Sequence, residues 1–415
     1  MGTRSASKGT VLISGASIAG PAVAFWLHRY GFAVTVVEKS TGLRGGGYPI
    51  DVRGTAVEVA RRMGILPRLQ AAHIDSRRVT FLNADGSEAA VVRPQAVVGG
   101  VEGRDVEVPR GELAEILYGA VRDEVEFVFD DSIDALTEHE HGVDVTFRSG
   151  VQRTFDLVLG ADGLHSRTRE LVFGPERQFH RYLGYCFSIF TMPNTLGLSH
   201  EVLIWNTPGR AAALYAVGDS DELHAFLNFA HPEPPGEVLS GRPEVQRELV
   251  ATTFADDGWE IPAMVATMRH ANDPFLDTVS QVHLPRWSSG RVALLGDAAH
   301  APSFLTGQGS SLALVGAYML AGSLAAHRDH TAAFAAYERD TRGFVELNQA
   351  QVGAGDAALF PTTAEALERR NSRLRGLTAL PPKTGRPAHT ALTLPKFTGD
   401  RPGNGQWRVG RQTSS

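Results

Sequence analysis

Cysteine is nearly missing: Cys186 is the single one in 415 residues. A disulfide framework, a CxxC zinc site and a paired-thiol redox centre each need at least two, so all three are excluded. Excess positive charge is missing as well. The formal net charge is −6, which leaves no electrostatic footprint for nucleic acid and predicts no such partner. The apolar stretch "VLISGASIAGPAVAFWL" is cut by Gly15, Gly20 and Pro21 and falls short of the ~20 residues a bilayer requires. The opening "MGTRSASKGT" has neither the apolar core nor the cleavage site of a signal peptide. Ala6 stands where a myristoylation signal needs serine or threonine. A cytoplasmic protein without membrane contact is therefore expected. GxSxG, P-loop and HExxH motifs are also lacking, so the common hydrolase and NTPase readings have no starting point.

What is present has the balance of a soluble globular chain, 43% hydrophobic and 21% charged. "GTVLISG", "PAVAFWLHRYG" and "FAVTVVEKS" spell strand, helix and strand around a glycine turn. Such a βαβ unit implies a parallel sheet. "VPRGELAEILYGAV" has helical spacing, and "VEFVFD", "HGVDVTFRSG" and "VQRTFDLVLGADG" predict strands. From "GYCFSIFTMP" to "ELHAFLNFA" short strands follow one another without a long helix, the mark of an antiparallel sheet. "RVALLGD" returns to the buried-strand type, and three helical stretches follow, from "SSLALVGAYMLAGSLAAH" to "TAEALERRNSRLRGL".

Three turns after apolar strands have the chemistry to hold a phosphate or a sugar. In "GASIAG", Gly15 and Gly20 allow a tight turn, and the following helix start favours a pyrophosphate. Ser17 stands where the middle glycine is usual and is small enough to fit. Glu38 ends the next strand, where an acid accepts ribose hydroxyls. In "DLVLGADGLHSRTRE", Asp162 either meets a ligand or caps a helix, and Arg169 is placed for an anionic group. In "RVALLGDAAHAPSFLTGQGSS", Asp297 suits a polyol and the "TGQGSS" amides suit a phosphate or an anionic carbonyl.

In that order, these stretches resemble the signatures of the single-component FAD-dependent aromatic hydroxylases, the para-hydroxybenzoate hydroxylase-like group. "LRGGGYPIDVRG" is similar to the tetracycline-inactivating branch. The resemblance runs over roughly the first 350 residues. It implies an α/β fold, α+β overall. A discontinuous Rossmann-like FAD-binding domain (1–75, 100–170, 280–330) would join a β-rich substrate domain (76–99, 171–279). C-terminal helices (331–376) and an irregular tail (377–415) would follow, the tail loosely held unless Phe397 and Trp407 tether it. It places Gly15, Ser17, Ile18, Ala19, Gly20, Glu38 and Lys39 at the ADP half of FAD. Arg110 falls near ribityl and pyrophosphate, and Gly296 and Asp297 at the ribityl chain. Pro302, Gly307, Gly309 and Ser310 lie along the flavin. Arg44 and Asp51 match flavin and nicotinamide contacts, and Asp162 serves both FAD and a transient NADPH or NADH.

The implied reaction uses NAD(P)H and O2 to hydroxylate a sizeable aromatic or polycyclic molecule through a flavin C4a-hydroperoxide, as in natural-product tailoring or antibiotic inactivation. The hard chemistry belongs to the cofactor, so no catalytic side chain is named. One departure concerns Phe304, which stands where the family usually has proline; it narrows or moves the space above the flavin. Trp205, Tyr215, Phe226 and Phe304 are the candidate substrate contacts, although alternation alone makes the strand aromatics core residues equally well. His300 touches the ligand or is satisfied by backbone. "EHEHG" predicts a solvated hairpin, and no metal site is expected. Baeyer–Villiger or flavin-only oxidation on the same fold, or a flavin-free binding protein, are the alternatives. A monomer or weak homo-oligomer is expected.

Overall fold

The computed structural model describes residues 7–43, 47–94, 101, 103–236, 242–271, 275–353, 359–377 and 385–397. Strands are numbered along the chain. The first seven are β1 (Thr10–Ser14), β2 (Ala33–Glu38), β3 (Pro49–Val52), β4 (Arg78–Leu82), β5 (Glu88–Val92), β6 (Val106–Pro109) and β7 (Glu126–Phe129). Then come β8 (Ile133–His139), β9 (Gly142–Phe147), β10 (Gln152–Phe155), β11 (Leu157–Gly160) and the long β12 (His180–Pro193). The rest are β13 (Glu201–Thr207), β14 (Arg210–Ala216), β15 (Glu222–Ala230), β16 (Phe275–Val282), β17 (Ser288–Ser289) and β18 (Val292–Leu294).

A six-stranded sheet runs β17-β18-β11-β1-β2-β7, and all its pairs except β17–β18 are parallel. Its central strands are continuous apolar runs because both faces are covered. Val11, Ile13 and Leu159 face the helices, while Leu12, Val158 and Val292 face the small antiparallel sheet β10-β9-β8. Ser14, Gly160 and Leu294 lie in one register. The three predicted turns therefore leave the sheet side by side at its carboxyl edge, where open parallel sheets bind ligands.

The Gly309–Ala326 helix begins at this edge and packs against the Ala19–Arg29, Thr55–Met63 and His330–Gln349 helices. It is long and apolar enough to cross a membrane, yet 78% of that apolar stretch is buried inside the molecule. It is apolar all round because protein surrounds it.

The second large sheet, β16-β12-β15-β14-β13-β4-β5, is antiparallel except for β13–β4. One face packs on the Pro243–Thr253 and Ile261–His270 helices; Tyr185, Phe187 and Phe226 lie on the other. A two-stranded ladder, β3–β6, carries Asp51 and Glu107. Residues 385–397 are held rather than loose. Their carbonyls lack ladder partners and accept side-chain donors instead: Thr55 Oγ1 to Leu392 O at 2.9 Å and Tyr318 Oη to Pro395 O at 2.7 Å. Phe397 packs 5.3 Å from the Tyr318 ring. Trp407 lies outside the described residues.

Candidate functional site

Gly15 has φ +105°, and a Cβ on Gly20 would stand 1.8 Å from Gly15 O. Only glycine lets the Ala19–Arg29 helix come this close to the end of β1. Ile18 precedes that helix without a capping side chain, and its first turn holds no acid. Its free amides and dipole suit an anion. Glu38 ends β2 and accepts from Ala16 N at 2.8 Å and Ser40 N at 3.0 Å. A carboxylate offers about four lone-pair directions, so acceptor capacity remains. Lys39 beside it is exposed.

The neighbouring turns close around the same edge. A Cβ on Gly15 would meet Ala161 O at 2.5 Å and Asp162 Cα at 3.1 Å, and one on Gly296 would meet Ala19 Cβ at 3.0 Å. Arg110, at the start of the Arg110–Gly119 helix, donates from Nη2 to Ser17 Oγ at 2.7 Å. Asp297 is exposed on the cleft wall and accepts no side-chain hydrogen bond among the described residues. The protein around the cleft still desolvates it: burial raises its pKa and Arg110 opposes the rise. Burial likewise keeps the Tyr48 hydroxyl protonated, with Arg110 pulling its pKa down and Asp297 and Asp277 pushing it up.

A Cβ on Gly309 would lie 3.8 Å from Asp297 Oδ1, so the Gly309–Ala326 helix starts beside this carboxylate. Its N-terminus has no side-chain cap and no acid in the first turn, where Ser310 is half-buried. Gln308 is fully buried with an unpartnered Oε1. Gly307 faces Asp51, whose Oδ2 would be 3.2 Å from an added Cβ, and Asp51 pairs with the buried Arg53. Pro302 O accepts from Gln281 Nε2 at 3.0 Å, which pins the loop ahead of the turn.

Other residues have local work. Asp162 accepts from Ser166 Oγ at 2.5 Å and from Thr168 N and Oγ1 at 2.9 Å, so both its oxygens organise the start of the Arg167–Phe173 helix. Arg169, expected to meet an anionic group, is fully buried and meets the protein's own Glu176 at 3.0 Å and Leu164 O at 2.8 Å. Burial lowers its pKa. His300 is 2% exposed, lies 4.6 Å from the Trp287 ring, and is pushed down to about 4 by burial. It is a neutral core histidine. His139 and His141 sit at the β8–β9 hairpin, with His139 3.4 Å from Asp144. Arg44 lies outside the described residues.

Of the aromatic candidates, Trp205 is 1% exposed beneath the Pro243–Thr253 and Ile261–His270 helices, on the face turned from the cleft. Its Nε1 donates to Ala84 O at 3.1 Å. Tyr215 lies on the opposite face, hydrogen-bonded to Ser76 Oγ at 2.5 Å. Phe226 meets Tyr48 at 6.2 Å, and Phe304, 38% exposed, meets Phe187 at 4.9 Å and Phe360 at 6.1 Å. Tyr48, Phe187 and Phe360, which join Phe226 and Phe304 on this side, are not singled out by the sequence. Phe187 was legible in principle, since it shares the two-residue period of Tyr185 and Ile189.

The cleft thus joins two uncapped helix starts, an arginine and two carboxylates with spare acceptor capacity. Ribose and ribityl hydroxyls donate, and a pyrophosphate accepts, so the donor set fits an extended flavin–adenine dinucleotide. A family model described as FAD binding domain matches residues 8–348. A flavin-dependent monooxygenase from an unknown prokaryotic organism is 38% identical over 392 residues, covering 93% of this chain and 98% of its own. The chain belongs to the FAD-dependent monooxygenase family. This monooxygenase is also 43% identical over 366 residues to the uncharacterized protein Rv1260 of Mycobacterium tuberculosis, covering 87% of this chain and 97% of that one. Among solved structures it matches the tetracycline destructase Tet(55), with TM-score 0.81 and 36% identity, covering 96% of this chain and 100% of that one. The cofactor of this monooxygenase is FAD.

Proposed function

We propose that the enzyme uses NAD(P)H and O2 to hydroxylate a sizeable aromatic or polycyclic small molecule lodged between the flavin and the second sheet. The observation that carries this reading is the aromatic wall of Tyr48, Phe187, Phe226, Phe304 and Phe360, which faces the edge where Asp297 and Gly309 stand. Flat apolar rings complement a flat, fused substrate. The likeness to a tetracycline destructase supports a polycyclic class.

Bound FAD supplies electron transfer and oxygen activation. The chain supplies placement and dryness. Glu38 would accept the adenosine ribose hydroxyls, while the Ala19–Arg29 helix start and Arg110 would balance the pyrophosphate. Asp297 would accept from the ribityl chain, and the Gly309 helix start would favour an electron-rich edge of the flavin. Phe304 and Phe187 exclude water from the substrate side.

The test is NAD(P)H oxidation by the FAD-loaded enzyme against a panel of phenols and fused polycyclic phenols. The reading expects one of them to stimulate oxidation and to gain a single oxygen atom in mass. Oxidation that no ring compound accelerates, with all oxygen recovered as hydrogen peroxide, would contradict it.

A further inference from the structure

Asp51 and Glu107 are register partners across the β3–β6 ladder, two acids directly opposite one another. Like charges in such a pair repel, and a ladder keeps them only where one is neutral or something else compensates. Asp51 is matched by Arg53, whose own backbone N–H is fixed by Ser311 Oγ at 3.1 Å. Glu107 forms no ion pair among the described residues, and Arg53 acts on it only through its charge. Glu107 meets the Tyr215 hydroxyl, which in turn pairs with Ser76 Oγ at 2.5 Å. A cavity of about 340 Å³, lined by Asp51, Arg53, His73, Ser76, Asp105 and Glu107, borders the pair. On its other side Asp51 faces Gly307.

We propose that Asp51 and Glu107 form a proton-sharing carboxyl pair beside the flavin cleft, which supplies the proton that hydroxylation consumes. This rests on the functional reading above. In that reaction one oxygen atom enters the substrate and the other leaves as water. NAD(P)H gives a hydride, and one proton is taken up. The Glu107 O–H bond breaks as the proton passes to the Asp51 carboxylate beside Gly307, and the Asp51 O–H bond breaks in turn as that proton leaves into the cleft for the oxygen released as water, which returns Asp51 to its carboxylate form. Glu107 regains a proton through Tyr215 and Ser76 from water in the cavity, each O–H bond forming as the next one breaks.

The surrounding charges agree with one proton held by the pair. Burial pushes Glu107 up to about 8 and the Asp51 charge adds to the rise, while Tyr215 and Arg53 oppose it. Burial also raises Asp51, with Arg53 opposing, Asp105 adding and His73 subtracting. Asp105 is occupied by Gly54 N at 3.1 Å and Val101 N at 2.8 Å, and Asp75 pairs with Arg77. Arg93 also borders the cavity, and His389 and Arg386 stand behind Arg53. The ion pair with Arg53 favours the charge on Asp51 and leaves the proton to Glu107.

The experiment is infrared difference spectroscopy of the apoprotein titrated from about pH 6 to about pH 10, followed by proton uptake from a dye-buffered solution during turnover of the FAD-loaded enzyme. A carboxylic-acid band that disappears near pH 8 is expected in the wild type. It should be lost in Glu107→Gln and shifted towards ordinary carboxylate values in Asp51→Asn. Proton uptake should slow by about 100-fold in Glu107→Gln and also fall in Tyr215→Phe, with FAD affinity and circular dichroism unchanged in both. A wild type without the band, or a Glu107→Gln variant with the same band or the same uptake, overturns the proposal. The apoprotein titration needs no turnover, so a titrating pair in an enzyme that hydroxylates nothing would refute the functional reading, and with it the supply role, separately from the pair.

Discussion

A carboxylate that lines a cleft without a protein donor keeps its lone pairs for a ligand, and Asp297 is in that state among the described residues. Charge-assisted hydrogen bonds contribute about 1.5–3 kcal/mol each. Asp297→Ala should therefore weaken FAD by about 10- to 100-fold in a fluorescence titration of the apoprotein, with the fold intact; an unchanged affinity would remove Asp297 from the cofactor site. His165 shows a different use of charge. Its Nε2 meets Asp277 at 3.1 Å and its Nδ1 meets Glu176 at 3.0 Å, and these contacts raise its pKa to about 10 from an ordinary 6.5. A raised histidine stabilises fully below the unfolded pKa, and the benefit disappears as pH climbs through the folded value. The imidazole is half exposed, so solvent screening makes the effect modest. Melting temperatures measured between about pH 6.5 and about pH 10 should fall more steeply in the wild type than in His165→Gln. Parallel curves would show that the bridge contributes nothing. The place of Glu38 at the end of an apolar strand and of Asp297 just after one was legible, because an apolar run that stops at an acid is a local signal. Asp162 is also an acid after an apolar strand, and the structure adds Ser166 and Thr168 as its donors and Glu176 as the partner of Arg169, contacts that are not visible from spacing alone.

At the scale of elements, the strand period tells which residues share a face but not what covers that face. Trp205 and Ile204 are consecutive in β13 and point to opposite sides, Trp205 under two helices and Ile204 towards Phe81 and Val202. Trp205→Ala should cost about 3–5 kcal/mol of stability in denaturant unfolding. Phe304→Ala should raise the substrate KM while leaving both stability and FAD binding near wild type. If Trp205→Ala instead altered substrate choice without loss of stability, the assignment of the two faces would be wrong. The Gly309–Ala326 helix shows the same ambiguity in another form. Its sequence satisfies the requirements for crossing a bilayer and for filling a core, and only the helices packed around it select the core.

At the scale of the molecule, the parallel sheet brings together turns separated by more than half the chain. Ser14, Gly160 and Leu294 share a register, so the Gly15–Gly20 turn, the Asp162 turn and the Asp297 turn open onto one edge. Each turn could be recognised alone, because strand, glycine and helix start are local signals. The strand order β18-β11-β1-β2 is not local, and neither is the way the aromatic face of the second sheet turns towards that edge. The β3–β6 pairing that opposes Asp51 to Glu107 depends on a contact between distant segments and left no pattern in either of them. The most direct test of the whole arrangement is a crystal structure of the protein grown with excess FAD. The account predicts one extended cofactor, its adenosine ribose on Glu38, its pyrophosphate at Arg110 and the Ala19–Arg29 helix start, its ribityl chain on Asp297 and its ring system beside Gly307 and Gly309. Electron density placing FAD elsewhere, or showing Glu38 and Asp297 in separate cavities, would contradict it.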